Sequence, residues 1–539
     1  MTTSIFILLL FCSSWSLSSA NAKNATTVNR KIWKACKATR HPEPCQSMLT
    51  KSGRVRQKSS PQEIIQAALL VAGQKLKTGQ SMIKEILETS NQNPNRTKVA
   101  QTCLESLDYS SLRARAAEQA LSHDRLRDAR AWASSALNFQ HGCWGGLKYV
   151  NDTPLMNETL TYFETEVVVS TSNALSMMRA LDALGDDTAK WTPPRTERDG
   201  FWEPVVGAES GLGMTHIGFK LAGMKANVTV CKSGCRHSSV QEAVDMAPEN
   251  LKRGERYVIK IKAGVYVEIV RVPFPKKNLV FLGAGMGKTV ITGSRSFGLQ
   301  GINTFHTATV GILADGFMAS GLTIQNKAGV GAHQAVAFRS DSDFSYIENC
   351  EFLGNQDTVY THSLRQLYSN CIIQGNIDFI FGNAAAIFQN CTILIRPRQE
   401  NPDKGGASAI TAHGRSDPAQ TTGFAFVGCH IDGTPEYMEL YKANPSIHRN
   451  YLGRPWKMYS RTVFINCTMG ELIHPEGWMP WDGDFALSTV YYGEYGNSGP
   501  GANVSERVPW SRLIPAERIS TFTIRNFLQG DEWITKSFS

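Results

Sequence analysis

The chain has 539 residues, a formal net charge of +9, 42% hydrophobic and 19% charged residues. This is a globular composition with room for two to four domains at roughly 150 residues each, which excludes a disordered polymer. After the first dozen residues no apolar run reaches the ~18 needed to span a bilayer, and no zinc-finger spacing, RNA-binding signature or long Lys/Arg run accompanies the basic charge, so a multipass membrane protein and a nucleic-acid binder are set aside.

The basic charge is uneven. Residues 23–200 hold 25 Lys and Arg against 18 Asp and Glu, net +7, whereas residues 201–539 hold 31 against 29, net +2. At the start, an apolar stretch over Ile5–Cys12 runs into small residues and Ala20-Asn21-Ala22. This reads as a secretory signal peptide over residues 1–22, although its first residues carry no Lys or Arg; an uncleaved anchor is the other reading. Glycosylation acceptors at Asn24, Asn95, Asn157, Asn227 and Asn503 agree with export. Of 12 cysteines, Cys12 leaves with the leader. The rest fall into three groups: Cys36, Cys45, Cys103 and Cys143; Cys231 and Cys235; and Cys350, Cys371, Cys391, Cys429 and Cys467. Disulfides are the default for the first group in an exported chain, while the last group could equally be free and buried.

Residues 30–183 read as helices. Ser60-Pro61-Gln62-Glu63 is a capping box with Pro at the first helical position, and Ile65, Leu69, Ala72, Leu76, Ile83 and Leu87 follow at helical spacing. Further helical stretches near 97–121, 125–148 and 157–183 make a four-helix bundle the expected fold of residues 23–184. Residues 185–225 read as a linker, with Trp191-Thr-Pro-Pro-Arg-Thr-Glu-Arg198 at its centre.

Beyond the linker an apolar segment with Asn or Gly before Cys recurs at Ile347–Phe352, Tyr368–Ile373, Phe388–Ile393, Phe426–Ile431 and Phe464–Met469. The cysteines are 21, 20, 38 and 38 residues apart, the last two gaps being close to two periods. Short strands at constant spacing favour a parallel β-solenoid over an antiparallel sandwich, with equivalent residues stacked about 4.8 Å apart.

That stacking has a chemical consequence. Asp357 and Asp378 each lie seven residues after a ladder cysteine, so they share a register on adjacent coils. Gln356 adjoins Asp357, and Gln334 lies about one coil earlier. Paired carboxylates in a partly dry site cannot both ionise easily, which splits them into an acid and a nucleophile or base. An esterase, a glycosidase, a calcium site and a solvated Asp ladder all remain open on spacing alone. The amide neighbours fit calcium poorly, and the chain has no Gly-x-Ser-x-Gly elbow for a serine hydrolase.

Gly264-Val-Tyr-Val-Glu268, Gln334-Ala-Val-Ala, Gly354-Asn-Gln-Asp-Thr-Val-Tyr360, Asp378-Phe-Ile-Phe-Gly382 and Leu452-Gly-Arg-Pro-Trp456 resemble, in order, the plant pectin methylesterases (pectinesterases). The Cys36–Cys45 segment resembles the opening of the pectinesterase-inhibitor family, so the chain resembles the form that has an inhibitor-like pro-region ahead of the esterase. The resemblance implies bridges Cys36–Cys45 and Cys103–Cys143, a right-handed parallel β-helix over 226–539, and a metal-independent reaction without cofactor on methyl-esterified homogalacturonan in the plant cell wall. By residue it implies Asp378 as nucleophile, Asp357 as proton donor and acceptor, Gln356 and Gln334 as oxyanion stabilisers, Arg454 orienting Asp378, and Thr304, Gln334, Arg454 and Trp456 contacting substrate. It also favours a Cys371–Cys391 bridge, since one coil of separation suits the Cα spacing of a disulfide. Three departures stand out: the linker carries only Arg195-Thr-Glu-Arg198 where a basic processing site is common; Cys231 and Cys235 are extra and could pair locally; and Asn355 replaces an aromatic. The competing expectations are a catalytically weak binding or inhibitor protein on the same fold, and a pectate lyase or polygalacturonase. Weak long-range charge attraction between the +7 and +2 parts implies that any masking by the pro-region would rest on shape and apolar contact.

Overall fold

The computed structural model describes residues 26–90, 93–205, 221–252, 254–298, 302–401 and 404–534. The expected leader over 1–22 and Asn24 lie outside them. The chain divides into two compact units, Met1–Arg195 and Thr196–Ser539. No described helix is long and apolar enough to cross a membrane.

The first unit is built on four long helical segments: Pro61–Glu88, Pro94–Ser122, Leu126–Leu147, and a fourth that runs from Pro154–Tyr162 through a π-helical turn, Phe163–Val167, into Val168–Leu184. The Ser60 hydroxyl accepts the Glu63 N–H while the Glu63 carboxylate accepts the Ser60 N–H, so the capping box read from sequence closes from both sides. Cys103 and Cys143 are bridged across two of these helices with Cα atoms 4.5 Å apart, and Cys36–Cys45 ties the entry of the bundle. Asn95 and Asn157, two of the expected glycan acceptors, are exposed here.

The second unit is a parallel β-helix. Its strands form three sheets of 11, 8 and 7 strands in which all neighbours pair parallel. One turn of chain adds one strand to each sheet: Ser345 pairs with Gln366, and Arg365 with Ala385. Each corner before a ladder cysteine needs a left-handed residue, which Asn tolerates better than other side chains. Asn349, Asn370, Asn390 and Asn466 have φ between 49° and 52°, and Gly428 takes the same place at 64°. Inside, Tyr368, Phe388, Phe426 and Phe464 stack ring on ring at 4.8, 4.6 and 4.5 Å. Asn227 and Asn503, the remaining expected acceptors, are exposed on this unit.

Two expectations are corrected. The 38-residue gaps are single coils, because Ala385–Gln389 pairs directly with Gly423–Val427, and that strand directly with Arg461–Ile465. The surplus residues lengthen strands of the third sheet, Gly406–His413 and His448–Pro455, and add the helix Pro435–Ala443. Cys371 and Cys391 are not bridged: both are buried free thiols, like Cys350, Cys429 and Cys467. In-register stacking points the thiols the same way. Each thiol donates to a main-chain carbonyl, Cys371 Sγ to Ser369 O and Cys391 Sγ to Gln389 O, both at 3.4 Å, and Cys391 Sγ also accepts the Cys371 N–H at 3.4 Å. The bridge that does form is local, Cys231–Cys235.

Part of the segment read as linker belongs to the β-helix unit. Glu197 is buried between Arg461 and Arg415. The Arg198 guanidinium donates to Trp510 O at 3.0 Å, and Trp202 sets its edge on Tyr491 and Phe522. Upstream, Trp191 is buried in the helical unit, its indole N–H donating to Gly185 O.

Candidate active site

The third sheet carries the site. Five of its strands, Phe338–Ser340, Val359–Thr361, Ile380–Gly382, Gly406–His413 and the edge strand His448–Pro455, lie side by side in that order. Val359 pairs with Ile380, so the same register carried two residues back sets Asp357 beside Asp378 on adjacent coils. Both aspartates sit in the turns entering these strands with positive φ, 66° for Asp357 and 48° for Asp378. Such strained backbone is held only where its surroundings over-determine it. Here the Asp357 N–H donates to Ile377 O at 3.0 Å and the Asp378 N–H to Ala409 O at 2.7 Å.

Arg454, two strands along, reaches the pair. Its Nε donates to Asp378 Oδ1 at 2.8 Å and its Nη2 to Oδ2 at 2.6 Å, a two-pronged grip on one carboxylate. Both aspartates are buried, 6% exposed for Asp357 and 4% for Asp378. Burial raises the Asp378 carboxyl above its usual value, while the Arg454 hydrogen bonds and the charges of Arg454 and Arg398 pull it back down. Asp357 is raised much further, by burial and then by the neighbouring Asp378 charge, against only a partial pull from Arg454. The environments therefore push the two carboxyls apart: Asp378 ionises first and Asp357 keeps its proton. Burial opposes the charge on Arg454, but the Asp378 hydrogen bonds and charge outweigh it and hold the guanidinium above its usual value.

Gln356 precedes Asp357 in its turn, and Gln334 lies one coil back, where the Ala335 N–H donates to Gln356 O at 3.1 Å. Both glutamines are half-buried at the same edge as the acidic pair. Trp456 follows Arg454 by two residues and meets Phe381 at 5.9 Å; Phe381 stacks on Tyr360 at 4.1 Å. Thr304 opens a one-turn helix, Thr304–Thr307, whose Phe305 packs on the same aromatic cluster. Every site residue read from the sequence thus lies along this one face of the β-helix. Sequence reasoning missed Trp481, whose ring lies 4.4 Å from the Arg454 guanidinium, and Arg398, which acts on Asp378 from the connection after Thr392–Ile395. The only signal for Trp481 was the Gly477-Trp-Met-Pro-Trp481 cluster, and for Arg398 the Arg396-Pro-Arg398 triplet.

Two buried carboxyls with divided roles, a guanidinium fixed on one of them, amide side chains beside them and an aromatic wall can carry out nucleophilic acyl transfer on an uncharged ester. Comparison with known proteins agrees. The pectinesterase family model matches residues 227–531, and the plant invertase/pectin methylesterase inhibitor model matches residues 30–177. The chain is 56% identical over 506 residues to the probable pectinesterase/pectinesterase inhibitor 64 of Arabidopsis thaliana, covering 93% of this chain and 83% of that one. It is 36% identical to pectinesterase 2 of Citrus sinensis, covering 94% and 92%. Among solved structures, pectin methylesterase from carrot superposes with a TM-score of 0.55 at 44% identity, covering 58% of this chain and 97% of that one. The chain belongs to the pectinesterase family, in the form that carries an inhibitor-like helical unit ahead of the esterase.

Proposed function

We propose that this pectinesterase removes methyl groups from homogalacturonan through Asp378 as nucleophile and Asp357 as acid and base. The observation that carries the assignment is the two-pronged Arg454–Asp378 contact beside the buried Asp357, whose carboxyl is held well above its usual value by burial and the Asp378 charge. The Asp378 carboxylate attacks the methyl ester carbonyl carbon, and the carbonyl electron pair moves onto oxygen. Gln334 and Gln356 direct amide N–H groups at that oxyanion. As the tetrahedral centre collapses, Asp357 gives its proton to the departing methoxide and methanol leaves, with the galacturonate acyl group on Asp378 as an anhydride. Asp357, now a carboxylate, takes a proton from water, which attacks the anhydride; the product carboxylate leaves and Asp378 is restored.

Trp456 and Thr304 supply contacts for the sugar chain, with Trp481 as a further ring on the arginine side. The leader and the exposed acceptors at Asn95, Asn157, Asn227 and Asn503 support secretion to the plant cell wall. The helical unit acts as a contact-driven inhibitor of the esterase. Methanol release from esterified pectin, measured beside an assay for chain cleavage, tests the reaction: methanol without cleavage supports it, cleavage points to a lyase or polygalacturonase, and neither points to a binding protein. Adding separate helical unit to the esterase at low salt and near 1 M salt, where the Debye length falls to about 3 Å, tests the inhibitor role. Inhibition should persist in both.

A further inference from the structure

Arg396-Pro397-Arg398 leaves the Thr392–Ile395 strand and turns back to the segments that hold the acidic pair. Arg396 Nη1 donates to Gly354 O at 3.0 Å, at the head of the turn with Gln356 and Asp357. Pro397 O accepts from Asn376 Nδ2 at 2.9 Å, two residues before Asp378. Arg398 Nη1 donates to Ala407 O, on the strand whose Ala409 O receives the Asp378 N–H. Gly406 beside it leaves room for this course, since a Cβ there would come within 3.1 Å of Arg398 Cδ. The triplet is a clip on both turns, and its last guanidinium is tied to the strand that supports Asp378.

We propose that Arg398 is a positioning residue of the reaction, a second guanidinium that, tied to the strand supporting Asp378, favours the ionised carboxylate alongside the catalytic contacts of Arg454. The inference rests on the reading of Asp378 as nucleophile. Other groups face this carboxylate: Arg454 from its strand, Asp357 from the neighbouring coil and Tyr492 from Tyr491–Tyr495, while Tyr437 on the helix Pro435–Ala443 faces Arg398. Burial holds Tyr492 well above its usual value and Tyr437 at about 12, so neither phenol ionises in the working range. Asp357 keeps its proton there too. Removing the Arg398 charge therefore acts on a single titration.

The test uses the full chain with Arg398→Gln, which keeps an N–H donor for Ala407 O, and Arg398→Lys, which keeps the charge. A carboxylate that loses a cation holds its proton to higher pH, so the acid limb of kcat/KM for methanol release should move up by roughly half a pH unit in Arg398→Gln. The lysine variant should restore it. The plateau at higher pH should stay within about twofold of the wild type, because above the shifted limb Asp378 is ionised in both proteins. Arg396→Gln is the control: it loosens the clip without touching the carboxylate charge, so its acid limb should not move. An unmoved acid limb in Arg398→Gln, a uniform loss at all pH, or failure of lysine to restore the limb would each overturn the proposal. Asp378→Asn run alongside separates the two readings. If it retains activity, the nucleophile assignment itself fails; if it is inactive while the Arg398→Gln limb is unmoved, only the role of Arg398 fails.

Discussion

Arg454 and Asp378 stand 76 residues apart in the chain and meet through two parallel hydrogen bonds of 2.8 and 2.6 Å. The contact is possible because Arg454 lies on a strand two places along the sheet from the strand that follows Asp378. A planar fork fixes the direction of a carboxylate as well as its charge, which a single ammonium cannot do. Arg454→Lys should therefore lower kcat by roughly 10²-fold while the protein stays folded, since small misplacement of a reacting group costs about that much. Methanol release at saturating pectin, with circular dichroism as the folding control, measures it; a loss under about threefold would mean the fork does not aim the nucleophile.

Asp378→Asn removes the carboxylate proposed to attack the ester and keeps its shape. Its methanol release should fall below roughly one thousandth of wild type. Asp357→Asn should also be severe, because methoxide is a poor leaving group without a proton. Asp378→Asn activity near the wild-type level would exclude a covalent route through this residue.

The pH profile follows from the two displaced carboxyls. On the proposed mechanism, activity needs Asp378 ionised and Asp357 protonated. Asp378 sits above its usual value, so kcat/KM should rise with pH through a limb above that of a free aspartate. Asp357 is held far above its usual value, so activity should fall only at a distinctly higher pH, where it loses its proton. Asp357→Asn should erase the alkaline limb of whatever activity remains. An alkaline limb that persists in that variant would assign it to another group.

The cysteines divide cleanly. Unfolded without reductant, the protein should take alkyl groups at Cys350, Cys371, Cys391, Cys429 and Cys467, the five free thiols among the described residues. Cys36, Cys45, Cys103, Cys143, Cys231 and Cys235 should react only after reduction. Peptide mapping that finds Cys371 joined to Cys391 would contradict the free ladder.

Glu197→Ala should destabilise the β-helix unit by about 3–5 kcal/mol, because it leaves buried arginine charge without its carboxylate. A thermal melt of the full chain, followed by the tryptophan signal, reads this. An unchanged midpoint would show the ion pair to be dispensable.

How much of this was legible depends on what the chain repeats. The Asp357–Asp378 pair could be read because the coils that carry it keep a constant length, and register then follows from counting. The bundle could be read because Ser60, Glu63 and a regular apolar stripe act locally. The 38-residue gaps could not, since an insertion into one sheet leaves the other two in step and mimics a missing coil. The Cys371–Cys391 bridge fails for a similar reason: spacing brings the two backbones close but does not say which way the thiols turn. Arg398, Trp481 and Glu197 stood in short local clusters that assign no role, because their roles arise from contacts across long loops and from a segment whose Pro and charge content looks like a tether.

The lengthened coils have a further consequence. Ala385–Gln389, Gly423–Val427 and Arg461–Ile465 keep strict step while the segments between them differ from the shorter coils by a strand extension or a helix. The wall beside the acidic pair is therefore decoupled from the frame that aligns it. Its ties to the chemistry lie on the strands themselves, where Ala407 O receives Arg398, Ala409 O receives the Asp378 N–H and Arg454 grips the carboxylate. The connections between the strands, such as the one that carries the helix Pro435–Ala443, can change in length without shifting a single coil. Grafting there offers a route to altered tolerance for decorated or branched polymers on an unchanged reaction centre, and the same modularity gives natural variation a place to accumulate.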